Sequence, residues 1–287
     1  RGGKTAGINR IAPLARGEYL VHTDANVLFG PGAITALAQA LAAPGVGVAL
    51  GEVTFTNEDR PEVAGGEGLY WRFESWVKRV EAERGLLAVA NGGIYALRRD
   101  LWQALPPAIA GDAAEPLLAA IAGFRTAIAK GAHAQERAAA SLREEFARKV
   151  RIIAQQVACF RWLGLARLPR RIACAYVSHK LLRYTVPLLA LAAFACGSAA
   201  AARGSVAGAC IAALTALPVL AAPLGLAGLP GLAGRVFRVP LYLVAVNLAA
   251  LAGLWRGIGG DAPSAWEVPA STRAAAGGGA GGASRMG

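Results

Sequence analysis

Only four cysteines and three histidines occur in 287 residues, and Asp and Glu are outnumbered by Lys and Arg, 18 to 30. Cys159, Cys174, Cys196 and Cys210 have no close pairing, which excludes a disulfide scaffold and a zinc knuckle. His22, His133 and His179 are too widely spaced for a metal-ligand pattern. Charge is missing altogether from residues 184–202, 205–234 and 239–255, runs of Leu, Ala and Val about as long as a bilayer core requires. An integral membrane protein is expected, with about three helices in residues 184–258. Pro218, Pro223 and Pro230 interrupt the middle run, which predicts one helix near 205–221 followed by a bent or re-entrant segment, or else two short helices.

Cations crowd the approach to the first run: Arg143, Arg148, Lys149, Arg151, Arg161, Arg167, Arg170, Arg171, Lys180 and Arg183, against Glu144 and Glu145. That asymmetry predicts a cytoplasmic polar part beside anionic membrane lipids. It also accounts for much of the net charge of +12, so no nucleic-acid partner is inferred. Arg235 and Arg238 favour a cytoplasmic loop before the last run, which would send the tail outward. The glycine- and alanine-rich end, within residues 259–287, reads as a flexible tail.

The polar part, residues 1–140, alternates strand and helix signals. EYLVHTD, 18–24, reads as a strand; Pro31 opens a helix to about 43 with Ile34, Leu37 and Leu41 on its apolar stripe; VGVALGEV, 46–53, is a second strand. This is the pattern of an α/β layer, and it puts Asp24 at the carboxyl end of a strand, where open sheets bind ligands. EGLYWRFESWVKRVEA reads as a helix with Glu67, Trp71, Glu74 and Lys78 on one side. GGIYALRR and TAIAK read as strands, with AGDAAEPLLAAIAGFR between them as an acidic loop and short helix. Residues 141–183 begin with an amphipathic helix whose apolar positions, Phe146, Val150, Ile153, Val157 and Phe160, suit a membrane surface; Arg148, Arg151 and Gln155 form another face. Gly3-Lys4-Thr5 matches the tail of a nucleotide-binding P-loop, but the three apolar runs and Pro31 have no place in that fold.

The order GGKTAGIN, HTDAN with PGAITAL, EGLYWRFE, NGGIYALRR, GD before EPL, and EEFARKVRI resembles that of membrane-anchored glycosyltransferase family 2 enzymes. The likeness covers roughly residues 2–162 and continues into the membrane helices and the Trp266-Glu267 tail. It implies the fold class: an α/β GT-A domain, here incomplete, followed by a transmembrane helical region. That fold starts with a nucleotide-binding half, so the chain, which opens RGGKTAGIN, is expected to be an N-terminally truncated fragment. The implied reaction is sugar transfer from a nucleotide-sugar donor to a lipid-linked or saccharide acceptor of the cell envelope, at the cytoplasmic face of a bacterial inner membrane. A non-catalytic membrane subunit is the alternative.

By the resemblance, Lys4 and Asn9 contribute to the donor site, and Asp24-Ala25-Asn26 stands where the family has Asp-x-Asp. Asp24 and Asn26 would hold a divalent cation, Mn or Mg, Asn26 offering an amide oxygen in place of a carboxylate. Asp112 matches the catalytic base of an inverting transfer, with Glu115 in reserve; the acid that usually precedes it is replaced by Gly111. The Gln-x-x-Arg-Trp motif of processive members is absent, which favours single-sugar transfer or a diphosphate clamp made by Arg148 and Arg151. Trp71 and Asn91-Gly92-Gly93 are acceptor-side candidates, and Glu136 falls where the family often has a glutamate.

Overall fold

A computed structural model describes residues 2–56, 73–137 and 141–263. It is a mixed α/β structure, mainly helical. Helix α1 (Gly3–Ile11) precedes β1 (Tyr19–Thr23) and β2 (Val27–Phe29); α2 (Ala33–Ala42) leads to β3 (Val46–Thr56). After α3 (73–83) come β4 (Ile94–Arg98), α4 (Gly111–Ile121), β5 (Arg125–Arg137) and α5 (Leu142–Leu163). Helix α6 (Arg170–Tyr176) passes through one wider turn, Val177–Leu181, into α7 (Leu182–Ala201), and α8 (Val206–Leu226) and α9 (Gly231–Gly259) follow. Glu67 and Trp71 lie outside the described residues.

The five strands form one sheet in the order β1-β4-β3-β5-β2. Strands β3 and β5 are parallel, and the other pairs are antiparallel. Strand β5 runs well beyond the expected TAIAK because its later residues pair with β2, Val27 opposite Glu136. On one face, Leu37 and Leu41 of α2 are fully buried against Val46, Ile94 and Ala129. Ile34 of the expected stripe is 59% exposed; Ala33, one residue earlier, takes the inward position. On the other, Val48, Leu50, Tyr95 and Leu97 pack with Leu20, Leu87 and Ala119.

A third cluster joins Val89, Ala113 and Leu117 to Cys159 and Leu163 of α5 and Tyr176 of α6, fastening the helical half to the sheet half. The other side of α5 is not left for lipid. Ile153 and Val157 pack with Tyr184 and Ala250, and Gly253 and Gly257 of α9 let the helices touch: a Cβ at Gly257 would fall 2.5 Å from Val157 Cβ.

Three helices are long and apolar enough to cross a membrane: Arg170–Ala201, Val206–Leu226 and Gly231–Gly259. Their outward Leu and Val side chains, such as Leu189, Leu191, Leu220 and Leu232, are at least 60% exposed, as lipid-facing residues are. The bend expected after 221 does not occur, because α8 continues through Pro218 and Pro223 to Leu226. Apolar spans tolerate internal proline; the chain turns instead at Gly228 and Gly231, both at positive φ. Arg235 and Arg238 lie inside α9 rather than in a loop before it, and the last turns of α9 return to α5. Arg161 donates to the Gly257 carbonyl and Gln155 to that of Pro263. The start of the tail is therefore held beside the polar layer rather than led away from it.

Candidate functional site

The sheet brings its chemistry to one corner, the turn Asn91-Gly92-Gly93 that leads into β4. Strand β1 ends at Thr23, so Asp24 emerges at its carboxyl edge. Lys4 Nζ, from the first turn of α1, lies 2.6 Å from Asp24 Oδ1 and donates to the Gly92 carbonyl at 3.1 Å. From the other side comes α4, with Asp112 in its first turn. The N-cap position belongs to Ala110, so Asp112 is not spent on capping.

Gly92 is the meeting point. A Cβ there would sit 3.1 Å from Asp112 Oδ2 and 3.7 Å from Asp24 Oδ2. A side chain here would crowd the Asp112 carboxylate, which would have to give by a few tenths of an ångström. The Asp112 carboxylate is acted on through charge by Lys4, Asp24, Arg151 and Lys78. Burial raises its pKa above the ordinary 3.8; Lys4 counters this, Asp24 adds to it, and Arg151 and Lys78 oppose it. A carboxylate raised in this way, and still paired by charge at a distance, suits proton acceptance.

Asn26 and Glu136 form a second arm. Asn26 Nδ2 donates to Glu136 Oε1 at 3.2 Å, a contact fixed by the β2–β5 register. The other Glu136 oxygen lies 3.7 Å from where a Gly93 Cβ would be. Burial raises the Glu136 pKa, the Asn26 hydrogen bond and Arg148 lower it, and Asp24 raises it further. The corner thus collects three carboxylates, Asp24, Asp112 and Glu136, and their fields overlap at Arg151.

Gly111 has a structural reason. A Cβ there would fall 2.8 Å from Tyr95 Oη and 3.3 Å from Glu115 Oε1, so an acid at this position would collide with the pair beneath it. That pair is buried together with His22, whose ring stacks on Tyr95 at 4.6 Å. Burial pushes Glu115 up to about 7 and, with Lys4, pushes His22 down to about 4. At pH 7, His22 is therefore neutral and Glu115 about half protonated, so His22 Nε2 and Glu115 Oε2, 3.6 Å apart, do not form an ion pair. Glu115 lies below the corner rather than at it.

The other sequence candidates are placed as follows. Asn9 uses its amide on both sides of the Leu105 backbone, donating at 2.7 Å and accepting at 3.1 Å, and Thr5 donates to the Ile109 carbonyl. Both hold the 105–109 segment that leads into α4. Arg148 is engaged in a forked pair with the buried Glu145, at 2.7 and 3.0 Å. Arg151, half-buried on the same helix, faces Asp112, Asp24 and Glu136 through charge. Glu74 and Lys78 are buried on α3, and Lys78 Nζ donates to Asn91 Oδ1 at 2.6 Å. Sequence reasoning left Lys78 without a role at the corner; its contact spans two elements and has no local signal.

Among the described residues, no three acid, histidine or cysteine side chains form a ready-made cation cage. The donor set nevertheless fits a hard divalent ion: Asp24 and the Asn26–Glu136 arm offer oxygens only, and a bound phosphate would supply the rest. Lys4 holds the cationic place beside Asp24.

No protein-family model matches the chain, and no curated protein matches it in sequence. Among solved structures, it is similar to a mannosyltransferase from Pyrobaculum calidifontis in complex with GDP-Man and Mn2+. The identity is 23%, the TM-score 0.58, and the match covers 88% of this chain and 67% of that one. The chain shares the fold of that glycosyltransferase.

Proposed function

We propose that the chain is the membrane-anchored acceptor-side part of a family 2, GT-A-type glycosyltransferase that moves a hexosyl group from a nucleotide-sugar to an acceptor hydroxyl with inversion. The observation that carries this is the convergence of Lys4, Asp24 and Asp112 on Gly92, where a side chain would crowd the Asp112 carboxylate. The similar mannosyltransferase fold, solved with GDP-Man and Mn2+, supports the same reading.

Asp112 accepts the acceptor's proton as that oxygen forms its bond to the anomeric carbon; the bond to the diphosphate breaks on the opposite face, and the diphosphate leaves as an anion. Lys4 and Arg151 face the departing charge, Arg151 with the several donors that a diphosphate requires. Arg148 joins them if it exchanges Glu145 for phosphate. A divalent cation, Mn2+ or Mg2+, would be held by Asp24 and Asn26, with Glu136 supplying the carboxylate that Asn26 lacks; when bound it neutralises the diphosphate. Asn9 acts on the donor site through the 105–109 segment it holds.

The absence of the processive Gln-x-x-Arg-Trp motif favours single-sugar transfer. The three spans and the basic approach to them suit an envelope or polysaccharide acceptor, lipid-linked or saccharide, met at the cytoplasmic face of a bacterial inner membrane. The test is release of nucleoside diphosphate from a panel of nucleotide-sugars by the chain, with any natural upstream segment, in native membranes. Release that requires Mn2+ or Mg2+ and stops with EDTA is expected. Failure to bind any nucleotide-sugar with metal present would favour a non-catalytic membrane subunit.

A further inference from the structure

A second charge cluster lies on the far side of Asn91, where α3 meets the head of the first membrane-spanning segment. Glu74, buried on α3, accepts at Oε1 from Lys180 Nζ at 2.6 Å and at Oε2 from Arg183 Nη1 at 2.5 Å. His179 lies 3.4 Å from Glu74 Oε2 and 2.8 Å from Glu81 Oε1. These three groups come from one short stretch, the wider turn Val177–Leu181 and the first turn of α7 after it. Such turns are uncommon and cluster at functional places.

One turn along α3 from Glu74, Lys78 carries the contact onward to Asn91. Its ammonium is buried between the two clusters and feels both: Lys180 and Arg183 on one side, Glu74 beside it, and Asp112 ahead. Asn91 begins the turn whose next residue, Gly92, accepts from Lys4, while Ala90 donates to the Asp112 carbonyl at 2.9 Å. Hydrogen bonds therefore run from Lys180 and Arg183 to Glu74 and from Lys78 to Asn91 at the carboxylate corner, and charge couples Glu74 to Lys78 between them.

We propose that Lys78 is a positioning residue for the corner, and that Glu74, gripped by Lys180 and Arg183, makes the seating of the first membrane-spanning segment a condition of that positioning. This rests on reading the corner as the sugar-transfer site. The chemistry is a charge-assisted hydrogen bond to an amide oxygen, roughly twice as strong as a neutral one. It holds the Asn91-Gly92-Gly93 backbone where Asp24 and Asp112 can approach it. Removing the membrane helix from Glu74 changes the field at Lys78 without touching the corner directly.

The charge on Lys78 gives this an observable sign. Burial, reinforced by Lys180, lowers its pKa to about 8, with Glu74 and Asp112 pulling upward and Arg183 downward. The ammonium is present below that value and lost above it, so the strut weakens as pH rises. Replacing Glu74 by Gln removes an upward pull and moves the weakening to lower pH. Replacing Lys180 by Met removes a downward pull and moves it to higher pH. A role in packing alone would give both changes the same direction.

The experiment is hydrogen–deuterium exchange of residues 88–95, corrected for intrinsic rates between pH 6 and 9.5, on the chain in lipid nanodiscs. Wild type should lose protection through about pH 8, and Lys78→Met should exchange about tenfold faster throughout the lower range. Glu74→Gln and Lys180→Met should shift the wild-type transition in opposite directions. Protection in Lys78→Met equal to wild type, or shifts of the same sign, overturns the proposal. If Glu74→Gln does not fold, Lys78→Met and Lys180→Met against wild type decide it. Sugar transfer is measured in parallel: protection that behaves as stated while no transfer occurs faults the functional reading and leaves the strut standing.

Discussion

Two clusters of charge flank Asn91, and they are built on opposite plans. Around Glu74, one carboxylate meets Lys180, Arg183 and His179; burial alone would raise its pKa, but those partners together with Lys78 hold it well below the carboxylate range. Around Gly92, three carboxylates share Lys4, Lys78, Arg148 and Arg151, fewer cations per carboxylate, and burial leaves Asp112 and Glu136 raised. The first cluster is satisfied and joins two parts of the fold. The second holds like charges together, which fits the proposed site for a cation and a phosphorylated donor. Saturation of charge separates the two clusters, although both are partly buried.

The largest effect that would sharpen this comparison is at Asp112. Asp112→Asn should lower turnover by roughly a thousandfold, the scale of a lost general base, with donor affinity little changed. In wild type, the acid limb of turnover should lie above the ordinary carboxylate range: the folded pKa is raised, so the protonated, inactive form persists to higher pH.

Asp24→Asn should weaken donor binding in the presence of Mn2+ by about a hundredfold, read by calorimetry, since the proposed cation site loses the Asp24 carboxylate. Glu136→Gln should cost about tenfold in the same titration. If it costs nothing, Glu136 belongs with the structural acids and the second arm of the corner is only a strand contact.

The smallest effect is expected at Glu115. Its carboxyl, pushed up to about 7, is mostly protonated below that pH, so Glu115→Gln should stay within about threefold of wild type below pH 7. A loss as deep as that of Asp112→Asn would move the base to Glu115.

The parts of this site legible in the sequence were those carried by short motifs. Asp24 ends an apolar strand, Lys4 sits in a glycine-flanked segment, and Asp112 precedes a helix; each is local, and the sheet then assembles them. What was not legible was carried by register and by distant contacts. Glu136 reaches Asn26 across 110 residues because β5 continues to pair with β2, and Asn9 binds Leu105 across 96. No period or spacing encodes either. Lys78 read as a helical-face residue, and its link to Asn91 depends on how α3 docks.

The membrane half shows the same division. Three apolar runs predicted three helices, but their ends followed glycine geometry rather than proline content, and α8 passed through two prolines before stopping. The return of α9 to α5 rests on Gly253 and Gly257, whose spacing is visible and whose partner is not.

The most direct test of the account is transfer from a nucleotide-sugar by the natural protein in native membranes with Mn2+, comparing wild type with Asp112→Asn. The account predicts turnover in the wild type and, in the variant, a folded protein that binds donor but turns over roughly a thousandfold more slowly. Equal turnover in both would contradict it, because the carboxylate at the Gly92 corner would then play no part in the chemistry.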